Sequence, residues 1–116
     1  MKIKYRTPMK IAELLRLIAS KVDEGKSYCV FGRKGSSDED LSSECFLDEH
    51  PEITEENEEI YSKFVQDNNL EFWYSSRLLQ DVILSVLDQD ADASPGTMLK
   101  AISYYCEHDD YLDINQ

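Results

Sequence analysis

Between residues 71 and 87 the chain reads EFWYSSRLLQDVILSVL, and the period of its apolar positions changes partway along. Phe72, Trp73 and Tyr74 are consecutive β-favouring aromatics, each able to bury about 150–250 Å². Leu78, Leu79, Val82, Ile83, Val86 and Leu87 then recur at helical spacing, with Gln80, Asp81, Ser85 and Asp88 on the opposite face. This predicts a strand that turns directly into a helix. Ser75 or Ser76 is placed to cap it by accepting from a free backbone N–H.

The rest of the chain yields three more helices and two more strands. Ile11, Leu14, Leu15, Ile18, Ala19 and Val22 form an apolar stripe, while Lys10, Glu13, Arg16 and Lys21 face water. Thr7 and Pro8 predict the start of this first helix, as cap and first residue, and Gly25 its end. Residues 28–31, YCVF, are an apolar run of strand length that Gly32 is expected to stop. Residues 33–44, RKGSSDEDLSSE, read as a loop. Connections longer than about 12 residues are uncommon and often functional, which makes this loop a candidate contact surface. Residues 45–47 predict a second strand, ended by Pro51.

Thr54 reads as the cap of another helix, with Glu55 and Glu56 in its first turn and Glu58 and Glu59 just after, where the helix dipole favours negative charge. Ile60, Tyr61, Phe64 and Val65 supply its apolar stripe, and the Asn residues of 66–69, QDNN, suit its end because Asn tolerates positive φ. Ser94 and Pro95 repeat the cap-then-Pro start for a last helix that uses Met98, Leu99, Ile102, Tyr105 and Cys106. The expected order is α-β-β-α-β-α-α. We therefore expect one α+β domain over residues 1–116, a small, mostly antiparallel three-stranded sheet packed with about four helices. Residues 1–6 and 113–116 are expected to fray.

Charge changes the picture more than composition does. A chain of 116 residues suits a single core, hiding roughly two thirds of the unfolded surface. The net charge is −12. Residues 1–34 hold nine Lys/Arg against three Asp/Glu, net +6, whereas residues 35–116 hold three against twenty-one, net −18. A surface so acidic repels phosphate, which disfavours direct nucleic-acid binding and favours a basic protein partner. Cys29, Cys45 and Cys106 show no C-x-x-C spacing, which points to buried free thiols in a reducing cytoplasm. No apolar run approaches the ~20 residues of a membrane span, and charged residues interrupt any signal-peptide core, so a soluble protein is expected.

Nothing in the sequence spells a catalytic motif. Asp48-Glu49-His50 and Glu107-His108-Asp109-Asp110 lack metal-ligand spacing, because neighbours on a helix point about 100° apart. A Cys–His pair is not visible from spacing. No phosphate-binding glycine motif occurs. We therefore expect no enzyme, cofactor or metal site. The tract from residue 38 to 59 has eleven Asp/Glu and no Lys or Arg. The bland alternative is a solvated, solubilising face. The functional reading is a surface complementary to a basic partner, made of Asp38, Glu39, Asp40 and Glu44 in the loop and Asp48, Glu49, Glu52, Glu55, Glu56 and Glu59 beyond it, with Tyr61 as an aromatic anchor.

In layout the chain resembles small acidic immunity proteins of bacterial toxin–immunity pairs, in particular those of contact-dependent growth inhibition. The likeness runs over an N-terminal helix, SECFLDE at 43–49, LEFWYSSRLLQDVI at 70–83 and SYYCEHDDYL at 103–112. It implies a cytoplasmic protein that binds and neutralises the C-terminal domain of a cognate toxin, commonly a tRNA-cleaving ribonuclease. It supplies no residue roles. The alternative is another acidic binding module, such as a nucleic-acid mimic acting on a DNA-binding protein.

Overall fold

The change of period at residues 71–87 is where the sheet meets the helices. Strand residues 70–75 pass without a loop into the helix that starts at Ser76, and the Ser75 hydroxyl accepts from the backbone N–H of Leu78. In the computed structural model, which describes residues 3–114, the elements are β1 (Met9–Lys10), α1 (Ile11–Ala19), β2 (Cys29–Arg33), β3 (Glu44–Asp48), β4 (Glu52–Ile53), β5 (Glu59–Ile60), α2 (Lys63–Asp67), β6 (Leu70–Ser75), α3 (Ser76–Gln89) and α4 (Pro95–His108). The fold is α+β, in the order expected, with β1 and the β4–β5 hairpin added. The main antiparallel sheet has four strands rather than three, ordered β1-β3-β2-β6.

Its two faces are built differently. Tyr28, Val30, Cys45, Leu47 and Tyr74 meet the stripes of α1, α3 and α4 in the larger core. Cys29, Phe31, Phe46 and Leu70 point the other way, onto Val65 of α2, with Tyr61 and Phe64 packed alongside. A register shift lets β6 serve both faces. Val30 pairs with Tyr74 but Phe31 pairs with Phe72, so Trp73 is an extra residue in a bulge. The Trp73 indole then lies over Gly32, where a Cβ would sit 1.9 Å from the ring. Gly32 was expected to stop its strand; it lies within β2 and makes room for the tryptophan.

Several local expectations are corrected. Thr7 and Pro8 do not start α1, which begins at Ile11 directly after β1 with no side-chain cap. Two of its first N–H groups are satisfied by loop carbonyls instead: Ile11 donates to Ser43 and Ala12 to Leu41. The helix ends at Ala19, and Lys21 (φ 60°) and Gly25 (φ 78°) turn the chain beyond it. Residues 54–60 are not helical. Thr54 and Glu58 close a hairpin turn, Thr54 accepting from Asn57 N–H and donating its own to Glu58, with Asn57 at φ 63°. The helix in this region is confined to α2 and is capped by Ser62.

Residues 3–6, the lead-in to β1, are tied down as well. Arg6 N–H donates to Leu47, Tyr5 bridges to Leu47 and packs edge-on against Tyr28, and Ile3 joins the larger core. At the other end Gln89 of α3 holds Leu112 and Ile114 by two 2.9 Å hydrogen bonds. The expected fraying thus does not describe residues 3–6 or 114; residues 1, 2, 115 and 116 lie outside the described residues. No helix among the described residues is long and apolar enough to cross a membrane.

Candidate protein-binding site

The acidic tract has its apolar centre in the β4–β5 hairpin. The same dipeptide, Glu-Ile, flanks the turn on both sides, and β-branched Ile suits short strands. Cross-strand partners share a face, so Ile53 lies with Glu59 on one side and Glu52 with Ile60 on the other. Two residues past Glu59, Tyr61 returns to its side and donates its hydroxyl to the Glu59 carboxylate at 2.7 Å. That bond, then burial, pushes the Tyr61 hydroxyl up to about 12, so it stays a donor well into alkali.

Ile53, Glu59 and Tyr61 border a cleft of about 340 Å³ with Cys29, His50, Pro51, Phe72 and Ser75. Phe31 stacks edge-on against both Tyr61 and Phe72, so the aromatic wall is anchored in the sheet. Yet Phe72 is 47% exposed and Ile53 60%. Within the cleft, His50 Nδ1 lies 3.3 Å from Cys29 Sγ and its Nε2 lies 2.7 Å from the Ser27 hydroxyl. This is the Cys–His proximity that spacing does not reveal. Burial, and then the Glu59 and Asp48 charges, raise the Cys29 thiol, which favours its protonated form. We read the pair as a hydrogen-bonded floor.

The expected contact residues divide into three groups. Glu49, Glu52, Glu55, Glu56 and Glu59 are exposed on and beside the hairpin, with Tyr61 half-buried among them. None of these carboxylates joins an ion pair among the described residues. Glu39 and Asp40 are also exposed, but in the 34–43 loop, beside α4. There the Ser42 hydroxyl and N–H bond the Asp40 carboxylate and lower its pKa. Asp38, Glu44 and Asp48 have partners within the chain, Glu44 while remaining exposed. Asp38 accepts from Tyr74 OH at 3.2 Å, and Glu44 lies 3.9 Å from Arg33.

Asp48 is the clearest correction. It is 1% exposed, takes Arg6 Nε at 3.1 Å on one oxygen and Ser62 Oγ at 2.5 Å on the other, and thereby fastens the lead-in and the start of α2 to β3. Its carboxylate holds the fold together and is not part of the surface. Conversely, Ile53 and Phe72 were not expected at the site. The signal for Ile53 lay in Asn57, a residue that accepts the left-handed turn conformation, set between two Glu-Ile pairs. Of the thiols, Cys106 is exposed rather than buried.

A solvent-exposed apolar centre ringed by unpaired carboxylates matches the anatomy of a protein interface, with an anchoring core and a polar rim. Among the described residues, no three His, Cys, Asp or Glu side chains are gathered to hold a metal ion. No curated protein and no solved structure matches the chain. A family profile does match, across residues 8–114, and by it the chain belongs to the family described as a domain of unknown function, DUF7716.

Proposed function

We propose that this chain is an immunity protein that binds a basic bacterial toxin domain, a ribonuclease, in the cytoplasm and neutralises it by covering its surface. The observation that carries the reading is the hairpin side of the molecule, where exposed Ile53 and Phe72 are surrounded by unpaired glutamates. The apolar pair supplies the anchor, and a few such central residues dominate the affinity of an interface. The carboxylates steer a basic partner and raise its encounter rate. A stable interface covers about 1,200–2,000 Å² in total, more than the hairpin alone, so the rim extends along Glu49, just past β3, and Glu71 of β6. The layout likeness to immunity proteins supports the toxin as partner; the charge supports any basic protein.

The test is protection. If the coding sequence beside this gene ends in a basic toxin domain, cells producing that domain should survive when the protein is co-produced and die when Ile53→Arg replaces it. Killing that proceeds in full despite abundant, folded wild-type protein sinks the proposal.

A further inference from the structure

On the helix-covered side, the turn between α1 and β2 carries Asp23, a carboxylate that is only 2% exposed. Tyr28 OH donates to it at 2.6 Å and Gln80 Nε2 at 2.9 Å, both to Oδ2. Neither donor brings positive charge. The ion pairs among the described residues are Arg6–Asp48, Arg33–Glu44 and Glu107–His108, so Asp23 has none. A buried carboxylate is costly without a cation, and neutral hydrogen bonds offset only part of that cost.

Asp23 also lines a cleft of about 250 Å³ between α1 and α3, whose aliphatic wall is Ile18, Ala19, Ile83, Leu84 and Leu87, with Gly25 and Gln80 beside Asp23. Leu84, 53% exposed, is an apolar side chain that α3 leaves partly in water at this cleft. Lys21 and Glu24 line it as well and cancel in formal charge, leaving Asp23 to set the sign. The C-terminal end of α1 adds negative potential. One buried anion beside an aliphatic wall calls for a ligand with one positive head and a hydrocarbon stem. The volume is below the roughly 300–1,000 Å³ of sites for drug-sized molecules, so the ligand is small.

We propose that this cleft binds a small aliphatic primary amine, its ammonium on Asp23 and its stem along Leu84 and Leu87. The ammonium supplies the cation that Asp23 lacks, through a charge-assisted hydrogen bond to the carboxylate. The site is separate from the hairpin face and does not depend on the toxin reading.

Titrating the full-length protein with hexylammonium chloride, followed by amide NMR, should shift resonances of residues 18–25 and 80–87 saturably. 1-Hexanol, with the same stem and no charge, should bind at least about tenfold more weakly, and Asp23→Asn should weaken the amine by a similar factor. Leu84→Lys alters an exposed position, leaves folding intact and should weaken the amine several-fold by like-charge repulsion. Should Asp23→Asn fail to fold, the hexanol and Leu84→Lys comparisons decide alone. Equal affinity for amine and alcohol, indifference to Leu84→Lys, or no saturable shift at these residues up to about 50 mM amine, a range in which even very weak millimolar binding shows, would each overturn the assignment.

Discussion

One face of the sheet is covered by α1, α3 and α4, which seal Tyr28, Val30, Cys45 and Leu47 to 2% exposure or less; the other is covered only by the five-residue α2 and a hairpin of two-residue strands, which leave Ile53 and Phe72 in water. The long helices present several turns of apolar stripe, so their burial is cooperative and complete. The short elements cannot do this. A two-stranded hairpin is marginal by itself and a single helical turn and a half costs more to nucleate than it returns. They persist here because aromatic stacking on Phe31 and the Asp48–Ser62 bond pin them to the sheet. The helix side makes stability, and the hairpin side leaves apolar surface in water, which the proposed function assigns to recognition.

Substitutions should separate the two roles. The largest effect is expected on the sealed side: Ile83→Ala, at 1% exposure, should cost about 2–5 kcal/mol in chemical denaturation while leaving partner affinity of the folded fraction unchanged. Next is the bulge that joins the faces. Gly32→Ala drives a methyl into the Trp73 indole and should cost about 1–3 kcal/mol, partly relieved by Trp73→Leu in the same chain. Full additivity of the two changes would contradict the contact.

Alkali should act mainly through the sealed side. Burial raises the Cys45 thiol from 9.0 to about 12, and burial with the Asp23 hydrogen bond raises the Tyr28 hydroxyl well above 10.0. The folded state keeps these protons at pH values where the unfolded chain has lost them. Stability is therefore whole below about pH 9 and falls above it, by at most ~1.4 kcal/mol per pH unit for each group. Denaturation curves at pH 7.5 and 10.5 check this, and Cys45→Ala should flatten the first part of the fall. The smallest effect on stability belongs to the hairpin: Ile53→Ala should stay within about 0.5 kcal/mol, since a largely exposed side chain gives up little on unfolding.

The same contrast explains what could be read from the sequence. The stripes of α1 and α3 and the caps at Ser75 and Ser94 were legible because long helices repeat their signal and Ser caps are local. The stretch around Thr54 misled. Thr followed by glutamates suits a helix start, yet Thr54 Oγ1 accepts from Glu58 N–H across a turn that Asn57 makes possible. Propensity over so few residues is weak, and tertiary contacts decide. Charge counting found the glutamates of the hairpin but did not distinguish them from Asp48, whose burial depends on Arg6 and Ser62, 42 and 14 residues away in the chain. Nor did it show Phe72 exposed beside a buried Phe31, because that depends on a bulge in β6.

The central claim is that the hairpin side receives a basic partner. It is tested most directly by association kinetics between this protein and the basic toxin domain that the proposal requires as its partner, measured from low to physiological salt. Reversing Glu55, Glu56 and Glu58 to Lys, all exposed, should slow association by about tenfold or more at low salt and flatten its salt dependence. The thermal melt should be unchanged, because exposed charges contribute little to stability. An on-rate and salt slope equal to those of the wild type, in a variant that melts normally, would contradict the account and place the interface on another face.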